Sequence, residues 1–96
     1  MTRILPLLAL IACSRAEHTI TMKGMTFDPP VLTVEAGDLV VWRNADLVPH
    51  TATAAGRFDS GPVAPDASFR VTVGKPGELV YRCTLHPNMV GKLVVR

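Results

Sequence analysis

The chain lacks helical periodicity and long apolar runs, and it has little cysteine, few aromatics and almost no excess of one charge. Each shortage removes a class of protein. No ten-residue segment repeats its apolar positions every three to four residues, which excludes a helical bundle. The longest apolar run, Ile4 to Ala12, is nine residues with Pro6 inside it. A membrane-spanning helix takes about 20 such residues, so this run cannot cross. Two cysteines allow one disulfide at most and exclude a disulfide scaffold. Ten basic and eight acidic residues leave a net charge of only +2, with the basic side chains scattered singly. Five aromatics (three Phe, one Trp, one Tyr) leave little for bases to stack on. No nucleic-acid partner is expected. At 48% hydrophobic and 19% charged residues the composition suits a packed core and not a disordered chain. Ninety-six residues without repeat or linker make one small domain.

The first residues read as an address. Arg3 precedes the apolar run, the layout of an export signal over residues 1–12. The run ends in Leu10-Ile11-Ala12-Cys13, which resembles the lipobox of bacterial lipoproteins, where cleavage precedes the cysteine and its thiol is acylated. Ser14-Arg15-Ala16 offers ordinary cleavage after Ala16 as the alternative. Either way the domain, residues 17–96, is expected to work in the periplasm or elsewhere outside the cytoplasm. Cys13 is expected to anchor it to a membrane if it is acylated. A disulfide between Cys13 and Cys83 is the weaker reading, because Cys83 has another use.

From residue 18 onward the period is two. His18, Ile20 and Met22 alternate with Thr19, Thr21 and Lys23, and Leu32 and Val34 with Thr33 and Glu35. After the turn Glu35-Ala36-Gly37-Asp38, Val40 and Trp42 share a face. Phe69, Val71 and Val73 share another, and after the turn Gly74-Lys75-Pro76-Gly77 so do Leu79, Tyr81 and Cys83. Leu93 and Val95 close the chain. Eight prolines and seven glycines punctuate these runs. Short strands with regular turn signals predict an all-β sandwich or barrel. Ala55 to Ala67 reads as the longest irregular stretch. His18 is expected on the surface, and Met22 and Met25 in packing.

The chemistry is concentrated in Cys83-Thr84-Leu85-His86-Pro87-Asn88-Met89. Thiol, imidazole and thioether recur at every third residue. A regular strand or helix would scatter them, whereas a tight loop stiffened by Pro87 can turn them to one point. A second imidazole comes from Val48-Pro49-His50. Two histidines, a cysteine and a weak axial methionine form the ligand set of a type 1 copper site, so His50, Cys83, His86 and Met89 are the candidate ligands for one Cu(I)/Cu(II) ion. Thiolate binds copper covalently, neutral imidazoles suit both oxidation states, and thioether favours the reduced one. Zinc also uses Cys-x-x-His. It would want a further good donor, and the only spare histidine is His18.

At these residues the sequence resembles the cupredoxins, most closely the small amicyanin, plastocyanin and pseudoazurin group. The likeness runs from about Glu17 to Arg96. Beyond the ligands it includes Glu35 to Asn44, like the family's turn-strand-Trp-x-Asn segment, Phe58-Asp59-Ser60-Gly61, and Pro76 to Cys83. The short Cys-x2-His-x2-Met loop is most similar to amicyanin's. The resemblance implies a Greek-key β-sandwich of about eight strands with copper near one end. It also implies an exposed edge of His86 inside an apolar patch, here built from Leu47, Pro49, Pro87, Met25 and Val90. Many members carry Asn after the first ligand histidine, where it fastens the two ligand loops. Here Thr51 stands there. Its backbone N–H could donate to the Cys83 sulfur, and its hydroxyl could reach the backbone near Thr84.

These features predict a monomeric one-electron carrier that serves redox proteins such as a cytochrome, a dehydrogenase or an oxidase. A copper-delivery protein without a redox cycle is the alternative. An enzyme is not expected: a Cys83/His50 nucleophile pair has no third residue to orient the base, and a copper oxidase needs further metal centres.

Overall fold

The computed structural model describes residues 15–96. The expected signal over residues 1–12 and the lipobox cysteine Cys13 lie outside the described residues. The described chain forms nine strands: β1 (Glu17–Lys23), β2 (Thr26–Asp28), β3 (Val31–Val34), β4 (Leu39–Asn44), β5 (Thr53–Ala54), β6 (Phe58–Asp59), β7 (Ser68–Thr72), β8 (Gly77–Arg82) and β9 (Val90–Val95). They make a four-stranded sheet in the order β2-β1-β4-β7 and a five-stranded sheet in the order β3-β9-β8-β5-β6. This is the expected all-β sandwich.

The alternation explains the core. Ile20 and Met22 of β1, Val40 and Trp42 of β4, Tyr81 of β8, and Leu93 and Val95 of β9 are all buried between the sheets. Phe69, Val71 and Leu79 pack against them half-buried. Trp42 lies at the centre, with ring centroids of Phe58 and Tyr81 each 5.2 Å away and Phe69 at 5.9 Å. Tyr81 stands edge-on to both Trp42 and Phe27. It also pairs across the sheet with Gly91 of β9. The ring occupies the space a side chain would fill there: a Cβ on Gly91 would lie 2.2 Å from both Cζ and the hydroxyl oxygen of Tyr81.

Three details depart from the sequence reading. Part of the stretch Ala55 to Ala67 is ordered, because Phe58–Asp59 folds back onto Thr53–Ala54 across a turn. His18 is not a free surface residue: its Nε2 lies 2.8 Å from Asp38 Oδ2, and a quarter of its side chain is exposed, at 25%. Met22 is buried as expected, but Met25 is 43% exposed. Met25 follows Gly24 in a two-residue turn where Lys23 pairs with Thr26. Both turn residues have positive φ, 63° and 62°. That is the twist a tight hairpin requires, and it costs a non-glycine residue about 1 kcal/mol or more.

Chain direction positions the site. β1 runs parallel to β4, with Glu17 beside Leu39 and Met22 beside Asn44. β1 therefore starts at one end of the sandwich and finishes at the other. At its start the Ala16 N–H donates to Asp38 Oδ1 (3.1 Å) and the Glu35 N–H to Asp38 Oδ2 (3.0 Å). At its finish, β4 leads into the loop that carries His50.

Candidate metal centre

The loop from Ala45 to Pro49 is set by Asn44, the last residue of β4. Asn44 is fully buried. Its side-chain amide donates to the carbonyls of Val48 (2.8 Å) and Val63 (2.9 Å), while its Oδ1 accepts from the Asp46 N–H (2.9 Å). His50 then pairs with Val63 through both backbone groups. These bonds carry the His50 ring inward, where none of it is exposed.

The second loop leaves β8 at Arg82 and closes on itself before β9. The Cys83 N–H donates to the Met89 carbonyl (3.1 Å), and the Met89 N–H to the His86 carbonyl (2.9 Å). Closure brings the donors together. Cys83 Sγ lies 3.8 Å from His50 Nδ1 and 3.7 Å from His86 Nδ1. The three donor atoms all lie within 4.8 Å of one another. Bonds from one ion to imidazole nitrogen and thiolate sulfur run about 2.0–2.3 Å, so a single ion can bridge these gaps. Met89 is buried on the same loop, its backbone bonded to that of Cys83 and His86.

The thiol is prepared for a metal. Burial pushes its pKa up, but hydrogen-bond donors beside the sulfur, the Thr51 N–H first among them, outweigh burial and bring it down to about 6. The Thr51 N–H lies 3.3 Å from Sγ. Thr51 Oγ1 accepts from the Thr84 N–H at 2.8 Å. Thr51 thus ties the two loops together, as its position in the sequence suggested. Thiolate, two imidazoles and a neighbouring thioether are soft and borderline donors that suit copper in both oxidation states.

The centre opens on one side. His86 is half-buried and lines a cleft with Met25, Leu85, Pro87, Asn88 and Met89. Leu47 is 94% exposed, and Pro49 is exposed on the same loop as His50. Val90, expected in this patch, is exposed but does not line the cleft. Leu85 does, and the sequence reading passed over it. The signal was its place directly beside His86 in the loop.

Asp46 was also missed. Its Oδ2 lies 2.7 Å from His50 Nε2 and accepts from the Met25 N–H (3.1 Å), while its Oδ1 accepts from the Gly24 N–H (2.7 Å). Burial raises the Asp46 carboxyl, but these donors outweigh it and leave the pKa below the ordinary carboxylate value. Its spacing of four residues before His50 was the available clue.

Comparison with known proteins agrees with this geometry. A family model described as a cupredoxin-like domain matches residues 7–95. Amicyanin-alpha of Methylorubrum extorquens is 33% identical over 86 residues, covering 79% of this chain and 69% of the relative. Amicyanin of Paracoccus denitrificans is 35% identical over 82 residues, covering 79% of this chain and 63% of the relative. The chain thus spans about two thirds of the length of these amicyanins. Among solved structures, an oxidized amicyanin mutant superposes with a TM-score of 0.78 at 26% identity, covering 81% of this chain and 80% of that one. A copper-containing nitrite reductase from Thermus scotoductus gives a TM-score of 0.79 at 28% identity. The match covers 88% of this chain but only 23% of the reductase. On the strength of the family match over nearly its whole length, the chain belongs to the cupredoxin family.

Proposed function

We propose that the protein is an exported type 1 copper protein that carries single electrons between redox partners. His50, Cys83, His86 and Met89 are its ligands, and copper supplies the one-electron couple. The observation that carries this reading is the convergence of Cys83 Sγ with His50 Nδ1 and His86 Nδ1 at 3.7–3.8 Å. The amicyanin relatives support it. The reductase match covers only 23% of that enzyme, whereas the amicyanin matches cover 69% and 63% of theirs.

The chain's own groups suit the task. Thr51 donates to the sulfur and fixes the spacing of the two ligand loops, so little has to move when the charge changes. Met89 lies in the core, which keeps water from that side. The half-buried His86 edge, flanked by Leu85, Pro87 and Met25, gives a partner an apolar place to approach with few charges to desolvate. A cytochrome, a dehydrogenase or an oxidase would fit as partner. The signal over residues 1–12 and an acylated Cys13 would place the domain, residues 17–96, at a membrane surface outside the cytoplasm. Copper delivery is the second reading. The buried Cys83 in a closed, doubly bonded loop favours retention of the metal over release.

Titration with Cu(II) tests the assignment. One equivalent should produce intense visible absorption, and Cys83→Ser should abolish it. A colourless, fully loaded wild type refutes the type 1 site. Met89→Gln supplies a harder oxygen donor and should lower the midpoint potential, where about 59 mV is a tenfold change in a one-electron equilibrium. Release of copper at each reduction of the wild type would replace the carrier with delivery.

A further inference from the structure

We propose that Asp46 is a positioning residue that fixes the tautomer and orientation of His50 and locks them to the Met25 turn, so that the cleft beside His86 and the buried ligand form one mechanical unit. The proposal deepens the copper-site reading and rests on it only for the metal-bound readout.

Three facts carry it. An ionised carboxylate can only accept hydrogen bonds, so the 2.7 Å contact to Asp46 Oδ2 requires the hydrogen on His50 Nε2. A neutral ring protonated there leaves the Nδ1 lone pair free, and Nδ1 is the atom that lies 3.8 Å from Cys83 Sγ. The outer hydrogen bond of a ligand histidine sets which nitrogen can bind a metal. Secondly, the same carboxylate accepts the N–H groups of Gly24 and Met25, 22 and 21 residues away in sequence. Thirdly, those two residues form the positive-φ turn, a conformation that Met25 does not favour and that the two bonds help to hold. Met25 itself lines the cleft with Leu85, His86 and Pro87. A displacement of the turn therefore pulls on the group that orients His50. Asp46 in turn is anchored through its own N–H to Asn44 Oδ1, so the carboxylate has a fixed base.

The test compares wild type, Asp46→Ala and Asp46→Glu, each metal-free and in the Cu(I) form. In the metal-free protein NMR reads the His50 Nε2–H signal and the exchange of the Gly24 and Met25 amides. Asp46→Ala should lose the Nε2–H signal to solvent exchange and speed both amides by at least about tenfold. It should also bind copper about 10–100-fold more weakly. Asp46→Glu, which keeps a carboxylate, should recover part of each. A fold defect alone would speed exchange across β1 and β4 as well, so unchanged protection of Ile20 and Trp42 is part of the expected result. Retention of the His50 Nε2–H signal in Asp46→Ala, or faster exchange confined to His50 with the Gly24 and Met25 amides unaffected, overturns the proposal. Failure of the copper site would show instead as a wild type that stays colourless when loaded with Cu(II), with the metal-free Asp46 signals intact.

Discussion

Replacing Gly91 by alanine adds one methyl group at the most crowded point of the sandwich. That methyl would sit 2.2 Å from Cζ and the hydroxyl oxygen of Tyr81 and 2.7 Å from Cε2, where ordinary contact begins at 3.4 Å. The ring must retreat by about 1 Å, and it has nowhere to go. Tyr81 is fully buried. Phe27 stands 4.7 Å away on one side and Trp42 5.2 Å on the other. Overpacking of this kind costs about 1–3 kcal/mol or more. A domain of this size loses roughly 4–8 °C per kcal/mol, so Gly91→Ala should melt at least ~5 °C and up to ~25 °C below wild type. The displacement should also reach the metal centre, because Tyr81 shares a face of its strand with Cys83, two residues on. Thermal unfolding followed by circular dichroism, with the visible band recorded in parallel, checks both effects. Deleting the hydroxyl as well, in a Gly91→Ala/Tyr81→Phe double mutant, should not restore stability, since Cζ remains in the way. A Gly91→Ala protein with the wild-type melting temperature would refute the packing argument.

Thr51→Val removes the acceptor for the Thr84 N–H but keeps the backbone donor to Cys83. It should lose about 1–3 kcal/mol in chemical denaturation while retaining its colour. An unchanged stability would show that Thr51 does not tie the loops. The Glu35 N–H, then His18 and the Ala16 N–H, hold the Asp38 carboxyl below its ordinary value of 3.8. The unfolded chain therefore takes up the proton first as pH falls. The stabilisation is present above pH 3.8 and is lost as pH drops through the lower folded value. The stability gap between wild type and Asp38→Asn should shrink over that range in acid titration. Burial, partly offset by the Trp42 side chain, pushes the Tyr81 hydroxyl up to about 12 from 10.0. Here the fold keeps the proton longer, so stability should fall as pH rises from 10 to 12. Tyr81→Phe should lack that loss when unfolding is measured across the same pH range.

What was legible in the sequence was what is local. Alternation along β1, β4, β8 and β9 reports which side of a strand meets the core, and a period of two admits few other readings. The donors Cys83 and His86 stand in one short loop, and their chemical types are rare enough in company to identify the chemistry. Thr51 could be placed because it adjoins His50. The missed features are those that only long-range pairing creates. β5 and β6 are two residues each and have no period to read. Asp46 is an ordinary loop carboxylate until the parallel docking of β1 on β4 brings the Gly24 and Met25 amides to it. His18 could be seen as spare, but its partner Asp38 stands 20 residues on, in a turn, and only the crossing of β1 over that turn joins them.

The direction of β1 decides how such a molecule can be attached. Ala16 sits at the pole where Asp38 grips the chain, and the seven residues of β1 then climb about 23 Å to the pole that holds His50. Any tether joined ahead of Ala16 would meet the sandwich at its foot, with the half-buried His86 at its crown. Such a tether could be lengthened or exchanged without shadowing the cleft beside His86. It would set the reach of that cleft and leave the donor atoms around Cys83 untouched.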